Sequence, residues 1–176
     1  MGKMPLRFQQ AAAGDAAELA ALHTAVADHL TERHGRGAWS SQASEKSLLY
    51  AMRVSRVLVA WEGAEIVGTL RLATKKPWAI DTSYFATCRK ALYLLAMAVK
   101  PARQGRGIGR RCLEEAAKQA RAWPAEAIRL DAFDAEAGAG GFYARCGYTE
   151  VGRTLFRNTA LIYFELLLPA GPARNV

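Results

Sequence analysis

The spacing of apolar residues predicts two helices in the first third of the chain. In the first helix, apolar residues recur every three or four positions and so share one face. These residues are Leu19, Leu22, Val26 and Leu30. Asp15 and Glu18 have the spacing of a reciprocal helix cap, and Gly35 is placed to end the helix. Residues 44–54 are predicted to form the second helix. Its inward residues are expected to be Leu48, Leu49 and Met52.

Runs rich in β-branched, aromatic and leucine residues predict the strands. They cover residues 6–10, 56–61, 66–74, 92–99, 127–133, 148–154 and 161–168. The second and third runs are separated by Glu62-Gly63-Ala64, which favours an antiparallel hairpin. Residues 92–99 show no alternation with polar residues, so both faces of that strand are expected to be buried.

Two further helices are predicted, and together the elements define a fold class. One helix covers residues 108–123 and stops before Pro124, and the other covers residues 136–146. The order of strands and helices predicts an α/β (α+β) mixed sheet with helices on both faces. We expect one domain over all 176 residues, with residues 170–176 forming a frayed tail.

The net charge of +8 is unevenly distributed. No acidic residue lies between Asp81 and Glu114. The basic residues in that interval are Arg89, Lys90, Lys100, Arg103, Arg106, Arg110 and Arg111. Such a stretch can form a solvated face, bind nucleic acid nonspecifically or surround a small polyanion. We favour the small polyanion, because the charges crowd one glycine-rich turn.

Composition argues against several other classes of protein. The longest apolar runs fall short of the roughly 20 residues that cross a bilayer. The first residues also lack the apolar core of a signal peptide, so a cytoplasmic location without membrane contact is expected. Cys88, Cys112 and Cys146 have no CxxC spacing, and the three histidines do not share a helix face, so neither a disulfide framework nor a metal site is expected.

A glycine-rich segment immediately precedes the third predicted helix. The N-terminus of a helix carries unpaired amide groups and partial positive charge, which attract phosphate. Gly105, Gly107 and Gly109 have no side chains that would block close approach. A Walker loop would need Gly-Lys-Ser/Thr, and the dinucleotide fingerprint would need a glycine where Arg110 stands. The segment is therefore predicted to bind a pyrophosphate, but neither as a Walker loop nor as a dinucleotide-binding fingerprint.

Two motifs resemble those of the GNAT (GCN5-related N-acetyltransferase) family. Gln104-Gly105-Arg106-Gly107-Ile108-Gly109 is similar to the acyl-CoA-binding pattern Q/R-x-x-G-x-G/A of that family. The segment Gly141-Phe142-Tyr143-Ala144-Arg145-Cys146-Gly147-Tyr148 is similar to its FYxxxGF element. The two motifs occur in the family's order and spacing, so the resemblance covers nearly the whole chain. It implies an acyl-CoA N-acyltransferase fold with a mostly antiparallel sheet, acetyl-CoA as cofactor and acetylation of an amine.

The resemblance also implies which residues bind the cofactor. In the family, the strand before the glycine loop splays from its neighbour and exposes main-chain groups to the pantetheine arm. A backbone N–H there would polarise the thioester carbonyl. The residues assigned to cofactor binding are Met97, Ala98, Val99, Arg103, Gln104, Gly105, Arg106, Gly107, Ile108, Gly109 and Arg110.

Tyr143 and Asp131 are the candidate catalytic residues. Tyr143 matches the family's motif tyrosine, which would protonate the departing sulfur, although it could equally be a core aromatic. No glutamate lies on residues 93–96, so Asp131 at the end of the next strand is the first candidate for the base. Its alternative role is to cap the following turn. Asp81 and Tyr93 are weaker candidates for the base.

The acceptor site is the least determined part of the prediction. The first two helices, the irregular, aromatic residues 77–89 and the final strand pair are expected to line it. The candidate substrate-binding residues are Trp39, Tyr50, Trp78, Asp81, Tyr84 and Phe85. The aromatic insertion would narrow the groove, which favours a small-molecule amine over a protein. The same aromatic residues could instead cover the sheet or form a homodimer contact. An inactive CoA-binding sensor and a basic nucleic-acid-binding module remain the alternative functions.

Overall fold

Seven strands form one sheet whose spatial order follows the chain except at its last edge. The computed structural model of the protein describes residues 5–169. The strands are β1 (Leu6–Gln10), β2 (Arg56–Glu62), β3 (Glu65–Ala73), β4 (Ala91–Val99), β5 (Ala127–Phe133), β6 (Thr149–Phe156) and β7 (Thr159–Leu167). Their order is β1-β2-β3-β4-β5-β7-β6, and only β4 and β5 pair in parallel. The mixed, mostly antiparallel sheet is therefore confirmed, and the predicted tail at residues 170–176 lies outside the described residues.

Helices cover both faces of this sheet, as expected. They are α1 (Ala16–His34), α2 (Glu45–Val54), α3 (Ile108–Ala122) and α4 (Gly140–Arg145). Leu19 of α1 and Leu48 of α2 share an apolar cluster with Val59 of β2. Cys112 of α3 and Tyr143 of α4 belong to a second cluster, formed with alternate residues of β3, β4 and β5. The two clusters place α1 and α2 on one face and α3 on the other.

The sheet opens where β4 meets β5. Their parallel pairing covers three residue pairs and ends at Tyr93, so the rest of β4 has no partner on that side among the described residues. On its other side, β4 contains a bulge, because Thr69 pairs with Ala98 whereas Arg71 pairs with Leu95. Ala96 lies in this bulge with a φ of 46°. The splay that the resemblance implied is therefore present, and it leaves Ala96 exposed where both strand faces were predicted to be buried.

Two details of the first helices differ from the predictions. The Asp15 carboxylate accepts a hydrogen bond from the N–H of Ala12 at 2.8 Å, and it makes no bond to the start of α1. Asp15 therefore closes the short turn before α1, and the predicted cap with Glu18 is wrong. Leu49 is 37% exposed, because the buried positions Leu48 and Ala51 face the sheet and each further residue rotates by about 100°.

The fourth helix is shorter than predicted. It begins at Gly140, whereas a start at Glu136 was expected. At Gly138 an added Cβ would lie 1.9 Å from the carbonyl oxygen of Phe133, so the chain doubles back tightly at the end of β5. A helix cannot form through such a turn, and the glycines that follow have low helix propensity. Glu136 is exposed within this turn.

The aromatic insertion at residues 77–89 is fixed onto the sheet. Phe85 is buried and packs against Tyr163 of β7, with ring centroids 5.3 Å apart. Arg129 forms a buried ion pair with Glu165 at 2.9 Å, and the two side chains also hydrogen-bond the main chain of Ala86. The insertion is therefore anchored by both apolar and charged contacts.

Candidate active site

A cavity of about 540 Å³ lies beside the glycine-rich turn, and we call it the loop cavity. It occupies the opening between β4 and β5 and reaches the start of α3 and one side of α4. Its lining residues are Val26, Leu30, Met97, Ala98, Val99, Gln104, Gly105, Gly107, Ile108, Gly109, Arg110, Ala137, Ala139, Phe142, Tyr143 and Arg145. Most residues of the predicted cofactor site therefore line one cavity.

The glycine turn presents the start of α3 to the loop cavity. Gly105 and Gly107 have φ values of 72° and 82°, in the left-handed region that other residues rarely adopt. No side chain caps the first amide groups of α3. At Gly109 an added Cβ would lie 2.9 Å from the ring of Phe142, so a larger residue would press on α4. Uncapped amides that face a cavity are suited to binding phosphate oxygens.

Two of the predicted cofactor-binding arginines point to a different part of the structure. Arg103 pairs with Glu62 at 3.1 Å and also with Glu65, and Arg106 lies 3.4 Å from Glu62. Neither arginine lines the loop cavity. Lys100 also pairs with Glu65. The hydrogen bonds from Lys100 and Arg103 lower the pKa of the Glu65 carboxyl. Part of the basic stretch is thus neutralised by the turn between β2 and β3.

Arg110 and Arg145 supply the positive charge on the wall of the loop cavity. Both are exposed, and Arg110 donates a hydrogen bond to the carbonyl of Arg145 at 3.3 Å. This contact joins α3 to the end of α4. The two guanidinium groups are therefore placed to contact an anion that binds to the start of α3.

Tyr143 lies on the inner wall of the loop cavity. Its ring packs against Phe142, Tyr148 and Phe164 at centroid distances of 5.4–5.9 Å. Burial, followed by the nearby charge of Asp131, raises the pKa of Tyr143. The hydroxyl therefore stays protonated near neutral pH and can act as a proton donor.

A second cavity of about 550 Å³ lies between α1, α2 and the sheet, and we call it the helix cavity. Its lining residues are His23, Val26, Ala27, Leu30, Ala38, Trp39, Ser41, Gln42, Ala43, Ser47, Leu48, Ala51, Val57, Thr69, Leu70, Arg71, Ala96, Met97, Ala98 and Phe133. Val26, Leu30, Met97 and Ala98 line both cavities. The two cavities therefore meet at the bulge of β4.

The helix cavity contains two basic side chains. Burial, with a smaller contribution from the charge of Arg71, lowers the pKa of His23, so its imidazole is neutral at pH 7. Burial also lowers the pKa of Arg71, and its Nε is buried without a hydrogen-bond partner among residues 5–169. No aspartate or glutamate lines this cavity within the described part of the chain.

Asp131 lies on β5, on the same face as Phe133 of the helix cavity. Burial raises the pKa of Asp131, and its charge in turn raises the pKa values of Tyr143 and Tyr163. The carboxylate therefore lies near the candidate acid, although Asp131 lines neither the loop cavity nor the helix cavity. Its assignment as the base remains a prediction.

Of the predicted acceptor-site residues, Trp39 lines the helix cavity, whereas Tyr50 and the four residues of the insertion do not. Trp78 is 84% exposed, and Tyr84 and Phe85 pack on Tyr163. The Asp81 carboxylate accepts a hydrogen bond from the N–H of Ser83 at 2.9 Å, which lowers the pKa of Asp81. Trp78 and Asp81 line a separate cavity of about 410 Å³ between the insertion and β6–β7. Their roles in substrate binding or in a homodimer contact remain predictions.

The described residues offer neither a metal-binding group nor a membrane-spanning helix. Across residues 5–169, no group of three or more His, Cys, Asp and Glu side chains could hold a metal ion. No helix in the same range is long and apolar enough to cross a bilayer.

The sequence interpretation missed three residues that face the cavities. Arg145 lies inside the FYxxxGF-like motif, and its position about one helical turn after Phe142 could have indicated it. Nothing local marked His23 or Arg71. His23 lies in α1 and Arg71 in β3, with no motif around either residue. Only the packing of α1 against β3 brings them together.

Comparisons with known proteins agree with this geometry. The model of the Acetyltransferase (GNAT) family matches residues 22–148. No curated protein matches the sequence significantly. The structure is similar to yncA of Salmonella typhimurium, described as an acetyltransferase and determined with its cofactor acetyl-CoA, at a TM-score of 0.67 and 18% identity over 97% of this chain and 98% of the other. A GNAT acetyltransferase from Listeria monocytogenes gives a TM-score of 0.72 and 22% identity over 94% and 97% of the two chains.

Proposed function

Because the chain belongs to the acetyltransferase (GNAT) family, we propose that it is an acetyl-CoA-dependent N-acetyltransferase for a primary amine of a small molecule. One observation carries the proposal. The loop cavity and the helix cavity meet at Met97 and Ala98, so a thioester in one can face an amine in the other. This arrangement supports direct transfer while both compounds are bound, since proximity replaces a covalent enzyme intermediate.

The residues of the loop cavity fit acetyl-CoA. The uncapped start of α3 and the small residues of the turn suit its pyrophosphate, and Arg110 and Arg145 can add charge-assisted hydrogen bonds. The unpaired edge of β4, from Met97 to Val99, suits the amide groups of the pantetheine arm. When bound, acetyl-CoA supplies the acetyl group as a thioester.

The transfer needs a proton donor and an acceptor for the proton of the amine. The amine nitrogen forms a bond to the acetyl carbon, the carbon–sulfur bond breaks, and the sulfur leaves as a thiolate. Tyr143 donates its phenolic proton to that sulfur, since its hydroxyl is protonated near neutral pH and the residue lines the loop cavity. Main-chain N–H groups at the bulge of β4 stabilise the carbonyl oxygen as it gains negative charge.

We propose Asp131 as the base, with His23 as a second candidate. The raised pKa of Asp131 makes its carboxylate a stronger base than an exposed one, and it lies near Tyr143. The observation that favours His23 is that its neutral imidazole lines the helix cavity itself. If His23 is the base, His23→Gln removes the acidic limb of the pH profile of kcat/KM. If Asp131 is the base, Asp131→Asn removes it.

The proposed function is tested by measuring thiol release from acetyl-CoA with a panel of primary amines. Reactions without amine correct for the protein's own free cysteines, of which Cys88 and Cys146 are half-buried. We expect at least one amine to raise the rate and its acetylated product to be detected by mass spectrometry. Binding of acetyl-CoA without turnover of any amine would instead support a CoA-binding sensor.

A further inference from the structure

The Nε of Arg71 is the one buried side-chain nitrogen or oxygen of the helix cavity that makes no hydrogen bond within residues 5–169. The Oγ1 of Thr69 donates to the carbonyl of Leu58 at 2.8 Å, and the Nε1 of Trp39 donates to the carbonyl of Gly35 at 2.9 Å. The buried Nε of Arg71 makes no such bond, and no carboxylate among residues 5–169 pairs with its guanidinium. A buried donor that makes no hydrogen bond is costly, so the Nε of Arg71 marks a place where an anionic acceptor would be stabilised.

A second arginine of the sheet, Arg129, is buried and shows how this protein pairs such a charge. Arg129 is 6% exposed and donates to the Glu165 carboxylate, which is 4% exposed, at 2.9 Å. The hydrogen bonds to Arg129 raise its pKa, whereas burial alone acts on Arg71 and lowers its pKa. Residues 5–169 thus provide an internal carboxylate for Arg129 and none for Arg71.

The rest of the helix cavity favours an anion as the missing partner. His23 adds a second nitrogenous side chain and no negative charge. Asp28, an exposed acid near this cavity, is engaged by the amide of Gln42 at 3.3 Å. The remaining wall is largely apolar and includes the edge-to-face pair of Trp39 and Phe133, with centroids 5.9 Å apart.

We infer that the helix cavity selects an acceptor amine that also carries a carboxylate, which binds Arg71, while an apolar remainder packs against Trp39 and Phe133. Arg71 pairs with Leu95 at the start of the bulge in β4, so a carboxylate held there lies beside the junction of the two cavities. A planar guanidinium matches a carboxylate with two parallel hydrogen bonds. This inference rests on the proposed function, and its substrate class is an apolar amino acid.

The test compares acids with their neutral analogues. The acceptors are leucine, methionine, phenylalanine and tryptophan, each with its amide and its decarboxylated amine. We expect wild-type kcat/KM to favour an acid over its amide by about tenfold or more. Arg71→Gln should bring this ratio close to one, Arg71→Lys should keep part of it, and the KM for acetyl-CoA should not change. The ratio is measured within one variant, so it does not depend on the fraction that is folded.

A matched variant and a binding measurement complete the test. Arg53→Gln removes an exposed arginine of α2 that lines neither cavity, and it should keep the wild-type ratio. Calorimetry with CoA present should show that the preferred acid binds the wild type and not Arg71→Gln. Such binding would support the anion site even if no amine were acetylated. A lack of acetylation would count only against the proposed function. Three results would overturn the inference: equal kcat/KM for acids and amides, an unchanged acid-to-amide ratio in Arg71→Gln, or no binding of any acid. If only inorganic phosphate competed for the site, the site would be assigned to phosphate.

Discussion

The loop cavity and the helix cavity have similar volumes, about 540 and 550 Å³, but they are built in different ways. The end of the loop cavity that we propose binds phosphate comes from one continuous segment, residues 104–110, and it presents main-chain amides. The helix cavity comes from α1, α2, β3, β4 and the end of β5, and it presents side chains. One is therefore a local structure, and the other exists only after the chain has folded.

This difference explains why one cavity has a motif and the other does not. Left-handed conformations help successive amides to converge on a phosphate, and glycine adopts them readily, as Gly105 and Gly107 do here. The role of a side chain such as Arg71 depends instead on the residues that the fold places around it. Changes in the loop cavity should therefore affect one cofactor, and changes in the helix cavity should affect the choice of acceptor.

Tyr143→Phe should have the largest effect. It removes the proposed acid and leaves a ring of the same shape among Phe142, Tyr148 and Phe164, so the fold should persist. We expect kcat to fall by about 100-fold or more, with little change in the dissociation constant of acetyl-CoA. Steady-state kinetics and calorimetry measure the two quantities. An unchanged kcat would exclude the acid role, and an equal loss of affinity would make Tyr143 a binding residue.

Gly107→Val should have the next largest effect. The new side chain would stand in the loop cavity and strain a residue with a φ of 82°. We expect acetyl-CoA to bind roughly 30- to 100-fold more weakly, or about 2–3 kcal/mol by calorimetry.

Gly35→Val is a control for backbone strain away from the loop cavity. Gly35 has a φ of 78° and, like Gly107, open space around an added Cβ, but it ends α1 outside the loop cavity. Its ψ is −179°, against 4° at Gly107, and that combination is nearly closed to other residues, so Gly35→Val should lose more stability than Gly107→Val in thermal unfolding and keep its affinity for acetyl-CoA. If both also lost the same affinity for acetyl-CoA, the glycine turn would not be the cofactor site.

Much of the fold could be predicted because its elements are local. The first strand was predicted at residues 6–10 and is observed as Leu6–Gln10, and α3 was predicted at 108–123 and is observed as Ile108–Ala122. The errors occur where distant contacts decide. The tight turn at Gly138 depends on the carbonyl of Phe133, and the exposure of Leu49 depends on which side of α2 meets the sheet.

The same distinction applies to the site. Gly105, Gly107 and Tyr143 lie in contiguous motifs, and the structure places all three on the loop cavity. Arg103 has the charge expected of a phosphate ligand, but Glu62, far away in sequence, pairs with it. Charge can be counted from a sequence, whereas the partner of a charge cannot.

Arg110→Gln and Arg103→Gln should separate these two kinds of charge. Arg110 lines the loop cavity, so we expect its loss to weaken acetyl-CoA binding about fivefold and to reduce the salt dependence of binding. Arg103 is engaged by Glu62 and Glu65, so its loss should change affinity less than twofold and lower thermal stability. Calorimetry at two salt concentrations measures the difference. A larger loss of affinity in Arg103→Gln would show that its ion pairs rearrange when the cofactor binds.

The smallest expected effect concerns the protonation of His23. Its pKa is lowered in the folded protein, so the unfolded chain takes up a proton first as the pH falls below about 6.5. The stability contributed by neutral His23 is therefore complete above that pH and is lost as the pH falls toward the lower, folded value. His23→Gln should remove this part of the pH dependence, whereas His34→Gln, a change at the end of the same helix, should retain it.

An NMR titration of the His23 ring sharpens this prediction and tests the charge of the helix cavity. Burial lowers the pKa of His23 more than Arg71 does, so Arg71→Gln should raise the pKa only part of the way toward 6.5. A bound amino acid whose carboxylate pairs with Arg71 should raise it in the same direction, because it neutralises that charge. If neither the substitution nor the ligand moved the titration, Arg71 would not act on the helix cavity, and the two cavities would not differ in the way their construction implies.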